Sequence, residues 1–179
     1  TGVHAGKVDL FVNHKVILTP LPSSADWAVE KLIQLWQAAK AEVICMDVDK
    51  HDEVLAHTSH LPHLMAFNLV EQLANREDNL DIFRYAAGGF RDFSRIAASD
   101  PQMWHDIFFA NKTAILKAVD GFETQLATLR QLIEDENSQA LMGLLGHAQA
   151  ARQHFNHMLA NKPLMEKNKV TQQFTILPG

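Results

Sequence analysis

Apolar and polar residues follow two rhythms along this chain, and the change from one to the other falls near Asp49. Before it stand two short runs dense in β-branched residues, "HKVILTPL" (His14 to Leu21), stopped by Thr-Pro, and "AEVICMDV" (Ala41 to Val48). Each predicts a buried strand. Between them "SSADWAVEKLIQLWQAAKA" opens on Ser and Asp and then sets Trp27, Leu32, Leu35 and Trp36 at roughly helical spacing, which predicts an amphipathic helix. Strand, helix and strand make a βαβ-like unit, and such units normally belong to a larger parallel sheet. Two strands are too few for that sheet, so either the fold is unusual or the chain begins inside a domain whose earlier strands lie upstream.

Beyond Asp49 only helical periodicity remains. The first helix is expected from about Lys50 through "HDEVLAHTSHLPHLMAFNLVEQLA", with Pro62 kinking or breaking it. The next punctuation is "AAGGFRDFSRIAASDPQMW": Gly88 and Gly89 loosen the backbone, and Ser99 and Asp100 before Pro101 mark a helix start. From Pro101 to about Asp135, Trp104, Ile107, Phe108, Ile115, Val119, Phe122, Leu126, Leu129 and Ile133 recur every three or four residues. One helix of that length would measure about 50 Å, against a diameter of about 30–35 Å for a compact unit of this size. Part of the stripe is therefore expected to pack on a second copy of the chain, which predicts a homodimer. A last helix, "SQALMGLLGHAQAARQHFNHMLA", carries Leu141, Leu144, Leu145, Ala148, Phe155 and Met158 on one face. The rest is polar until "FTILPG" and is read as a linker followed by the start of something else.

Composition narrows the classes. Of 179 residues, 47% are hydrophobic and 21% charged, enough for one or two packed domains. No apolar run reaches the roughly 18 to 20 residues of a membrane helix, and "TGVHAGKVDLF" has neither the basic nor the apolar region of a signal peptide, so neither membrane nor targeting is expected. A single cysteine, Cys45, rules out an internal disulfide and fits a reducing cytoplasm. With 21 acidic against 16 basic residues, and the basic ones scattered, nucleic acid is an unexpected partner; an anionic ligand would have to be held by individually placed arginines.

Three stretches carry candidate chemistry. Ten histidines invite a metal reading, with His51, His57, His60 and His63 close together and His147, His154 and His157 on one helix. There is no HExxH and no inward Glu-x-x-His pair, so surface or packing roles are the simpler reading and no metal is expected. In "TSHLPH" the proline frees the Thr58 carbonyl and bends the helix, so that Ser59 and His63 would face a cleft and offer donors to a carboxylate or keto oxygen. The plainer alternative has Ser59 bonded to a local carbonyl and His63 at an interface. In "GGFRDFSRIAASDPQMW", Arg91 and Arg95 fall four apart, suited to gripping a carboxylate, with Trp104 available as a wall. The alternative is a solvated helix with an Asp92–Arg95 pair.

"SHLPH" followed about thirty residues later by "GGFRDFSRIAASDPQMW" resembles the prephenate dehydrogenase family of tyrosine biosynthesis, and the strands "HKVILTP" and "AEVICMD" fit its pattern. The resemblance covers roughly Thr1 to Leu159. It implies a chain that is mostly α, the C-terminal remnant of a Rossmann-like α/β domain (1–48) followed by an all-α helical dimerisation and substrate-binding domain (49–163), with a linker or the start of a further domain at 164–179. It makes His63 and Arg95 the residues nearest the chemistry and Ser59, His63, Gly88, Arg91, Asp92, Arg95 and Trp104 the substrate pocket, with Trp104 a residue that the partner subunit could supply. Thr19 and Pro20, at a strand end, would meet the nicotinamide of NAD or NADP. The implied reaction is oxidative decarboxylation of prephenate to 4-hydroxyphenylpyruvate; regulation by tyrosine is left open.

Two family elements, GxGxxG and the HPxxG motif that holds the catalytic histidine, are not found in these residues. The sequence is accordingly expected to be a fragment, inactive by itself. "VTQQFTILPG" resembles the opening of 5-enolpyruvylshikimate-3-phosphate synthase, which implies a fusion. Competing readings are arogenate dehydrogenase, with the same chemistry on an amino-bearing substrate, and a non-catalytic helical dimerisation module that binds a carboxylate such as tyrosine.

Overall fold

A computed structural model of the chain describes residues 6–7 and 9–160; the "VTQQFTILPG" segment lies outside them. The chain is mostly α. Two strands, β1 (Lys15–Leu18) and β2 (Glu42–Cys45), pair in parallel with Val16 opposite Val43 and Ile17 opposite Ile44. The crossover between them is α1 (Asp26–Ala38), which completes the βαβ unit. Both strands are half-exposed rather than buried, because α1 packs on β2 and no second layer covers this pair among the described residues.

Of the four apolar residues expected on the inward face of α1, only Trp36 is there. Val29, Ile33 and Trp36 are half-buried, with Trp36 edge-on to Phe11 at 4.9 Å, while Trp27, Leu32 and Leu35 are exposed. The helix ends on a left-handed Lys40 (φ 61°), with Ala41 N–H donating to Trp36 O and Lys40 N–H to Gln37 O. This double bond pattern is the usual stop for which glycine is best suited, here built on lysine.

The helical region begins with α2 (Val48–Leu55), a π turn (Ala56–His60) and α3 (Leu61–Ala74). The expected kink at Pro62 takes the form of this wider turn: Leu61 N–H reaches back five residues to Ala56 O, and proline stands in the first turn of α3, where its missing N–H costs little. Short helices α4 (Asn79–Arg84) and α5 (Gly88–Ser94) follow, then a 3-10 turn (Arg95–Ala98). Gly88 and Gly89 form the first turn of α5 instead of a loose hinge.

The single long helix expected from Pro101 is two. α6 (Pro101–Ala110) stops at Asn111 (φ −108°, ψ 32°), and α7 (Lys112–Glu134) starts afresh. The length argument for a dimer therefore fails. The cause of the break is a buried polar contact: the Asn111 side chain turns inward to Asp52 and His60. Beyond it, Ile115 and Ala118 of α7 pack on Ala56 of the π turn, with Leu61, Phe108 and Val119 around them.

Two compact units divide within α7, Thr1–Glu123 and Thr124–Gly179. In the second, α7 stops on another left-handed residue, Glu136 (φ 52°), and the Asn137 carboxamide accepts from Ala140 N–H to open α8 (Ser138–Ala160), the bounds that the sequence pattern predicts. Its apolar face is only partly covered: Leu141 and Leu144 are half-buried, whereas Leu145, Phe155 and Met158 are exposed, as are Leu126 and Ile133 of α7.

Candidate functional site

The π turn and the first turn of α3 bring three histidine-motif residues inward. Ser59 and His63 are half-buried and His60 is buried, while His57 and Thr58 face solvent. The hydroxyl that bonds the preceding turn belongs to Thr58, which donates to Val54 O at 2.7 Å. His63 Nδ1 lies 2.8 Å from Ser59 O. A carbonyl only accepts, so Nδ1 carries the proton and Nε2 keeps its lone pair.

Trp104 lies against that imidazole. The rings stack with centroids 3.7 Å apart and planes 20° apart, and His60 meets the same indole edge-on at 6.1 Å. The sequence sets Trp104 there through a well-capped helix: the Asp100 carboxylate accepts from Met103 N–H at 2.8 Å, Pro101 takes the first position, and Trp104 follows one turn in. Trp104 is 5% exposed, and its indole N–H is buried with no acceptor among the described residues. The stack forms within one chain.

Behind the rings lies a polar junction that the sequence pattern did not single out. Asn111 Nδ2 donates to Asp52 O at 2.9 Å and lies 3.1 Å from His60 Nδ1. Burial pushes the His60 imidazole below its ordinary value, with Asp52 opposing, which agrees with a neutral ring whose Nδ1 accepts. The available signal was an asparagine interrupting an otherwise continuous apolar stripe.

The arginines lie on the neighbouring surface. Arg91 and Asp92 belong to α5, while Arg95 opens the 3-10 turn, and both elements pack on α3. All three side chains are exposed and none is in an ion pair among the described residues, so the Asp92–Arg95 pair does not form. Gly88 is exposed at the start of α5, and a Cβ there would meet nothing within 4 Å. Thr19 and Pro20 are half-buried just past the C-terminal end of β1, the end of a parallel strand where α/β sheets place ligands. Among the described residues no three of His, Cys, Asp and Glu come together to hold a metal ion, and no helix is long and apolar enough to cross a membrane.

Residues 47–147, more than half of the chain, match the model of the prephenate dehydrogenase dimerization domain. The chain belongs to the prephenate dehydrogenase family. Within that family it is 37% identical over 153 residues to the cyclohexadienyl dehydrogenase of Zymomonas mobilis, covering 84% of this chain and 52% of that protein. It is 39% identical over 142 residues to the prephenate dehydrogenase of Bacillus subtilis, covering 79% of this chain and 38% of the relative. Its fold superposes with a TM-score of 0.80 on prephenate dehydrogenase from A. aeolicus, solved in complex with hydroxyphenyl propionate and NAD+, at 38% identity over 86% of this chain and 54% of that one. The chain thus spans about half the length of these proteins, or less.

Proposed function

We propose that this chain forms the substrate-binding and dimerising part of a prephenate dehydrogenase, which oxidatively decarboxylates prephenate to 4-hydroxyphenylpyruvate in tyrosine biosynthesis. The observation that carries the reading is the His63–Trp104 stack within the family-matched residues, with the Arg95 turn packed on α3, the helix that carries His63. Arg95 takes a substrate carboxylate, as a guanidinium does best. Ser59 and the Nε2 side of His63 meet the polar oxygens, and Trp104 walls the ring. Gly88, Arg91 and Asp92 line the entrance.

NAD, or NADP, supplies the hydride acceptor. Thr19 and Pro20 would contact its nicotinamide end, and the Gly-rich turn and the base that takes the ring hydroxyl proton come from residues outside these 179. Loss of the ring carboxylate as carbon dioxide then aromatises the ring. On this reading residues 1–48 complete a nucleotide-binding domain, 49–163 form the helical domain, and 164–179 lead into a linker or a fused 5-enolpyruvylshikimate-3-phosphate synthase. The exposed apolar face of α8 and the dimerization-domain match support a homodimer; the single exposed Cys45 suits a reducing cytoplasm.

The test is turnover by the longer protein, joined to its upstream segment, with prephenate and with arogenate in parallel and with tyrosine added. Prephenate-dependent cofactor reduction supports the proposal. Turnover of arogenate alone changes the substrate, and tyrosine binding without turnover of either identifies a regulatory module instead.

A further inference from the structure

We propose that Asn111 is a positioning residue for the His63–Trp104 pair, holding both rings from behind through His60 without touching a ligand. The proposal rests on the reading of that pair as the pocket wall.

The geometry allows one arrangement of protons. Asn111 Nδ2 faces the Asp52 carbonyl, which only accepts, so the amide orientation is fixed. Its second N–H faces His60 Nδ1, which must therefore carry the lone pair, leaving the His60 proton on Nε2. One buried carboxamide, 9% exposed, thus ties together α2, the π turn and the α6–α7 break, elements 51 and 59 residues away in sequence.

Each tie bears on one member of the stack. Trp104 lies seven residues before Asn111, two turns along α6 and on the same helical face. Pinning the end of α6 fixes how deep the indole sits. On the other side His63 lies three residues after His60, one turn on, and the His60 ring braces the indole edge-on. Nothing else polar and buried links these two segments among the described residues. An apolar residue at 111 would leave His60 Nδ1 without its donor and the Asp52 carbonyl with only the helical N–H of Ala56, and would let α6 rotate or extend into α7.

The experiment uses the full 179-residue chain carrying Trp27→Phe and Trp36→Phe, so that Trp104 alone emits. A stacked imidazole quenches indole emission more strongly once protonated, so an acid titration reports the contact, and His63→Gln should remove most of the quench, leaving only what the edge-on His60 ring contributes. Asn111→Leu, with its helical circular dichroism retained, is expected to lose at least about half of the quench and to bind prephenate about tenfold more weakly by calorimetry. His60→Asn keeps an acceptor where Nδ1 stood and is expected to keep both; His60→Leu is expected to lose both. Wild-type quench and affinity in a folded Asn111→Leu would overturn the proposal. If that variant does not fold, equal quench in the two His60 variants overturns it. A wild-type chain that binds no prephenate while Asn111→Leu loses its quench would sink the functional reading and leave the positioning role standing.

Discussion

The indole of Trp104 and the imidazole of His63 stack at 3.7 Å, joining α6 to α3 across 41 residues of sequence. The contact leaves one polar group unmatched, since the buried indole N–H has no acceptor among the described residues. Trp104→Ala should cost about 3–5 kcal/mol, the loss of a buried aromatic plus its cavity. Trp104→Phe keeps a ring on His63 and removes the orphan donor, whose burial costs about 1–3 kcal/mol, so it should fall within about 1 kcal/mol of the parent. Urea denaturation measures both; a phenylalanine variant as unstable as the alanine one would contradict this account of the contact.

His60 makes stability depend on pH. Burial lowers its folded-state value below 6.5, so the unfolded chain binds the proton first as pH falls. The neutral ring's contribution is fully present above pH 6.5 and is lost as pH drops through the lowered folded value. The Asp52 charge acts against the shift, and the neighbouring His51 and His63 add to it once protonated. His60→Asn should flatten the acid limb of a stability profile taken from pH 7.5 to 5.5. An unchanged slope would mean that His60 is solvated in solution.

Lys40 and Glu136 hold left-handed conformations at two helix ends, with φ of 61° and 52°. A side chain there is strained by about 1–2 kcal/mol, which glycine relieves at some cost in unfolded-state entropy. Lys40→Gly and Glu136→Gly should each gain about 0.5–1 kcal/mol, read from the denaturation midpoint. A loss at either position would show that its side chain does more than end a helix.

These caps also explain what the sequence concealed. Glycine is the readable stop signal, and here lysine and glutamate take its place, while Gly88 and Gly89 sit inside a helix. Local signals with a single physical cause were legible: the βαβ unit, the Asp100–Pro101 start and both bounds of α8. The face of α1 was not, because Trp27, Leu32 and Leu35 are as apolar as the residues that turn inward. The break at Asn111 was hidden for another reason. Its cause lies 51 and 59 residues upstream, in partners that no local pattern reveals. Ser59, His63, Arg95 and Trp104 came from a recognisable motif, while Asn111, and the part His60 plays beside it in holding the pair, came only from the fold.

Arg95 separates binding from folding. Its guanidinium is exposed and in no ion pair among the described residues, so Arg95→Ala should change stability by no more than about 0.5 kcal/mol. In the longer enzyme the same change should raise the Michaelis constant for prephenate, with about 2–4 kcal/mol lost if the carboxylate pair is buried when bound. An unaltered Michaelis constant would remove Arg95 from the site.

The most direct test of the central claim, that this helical region holds the substrate, is calorimetric titration of the 179-residue chain with prephenate, alongside Arg95→Ala and His63→Ala. The account predicts saturable binding to the parent chain, lost in both variants while each stays folded. Binding that survives both substitutions unchanged would contradict it.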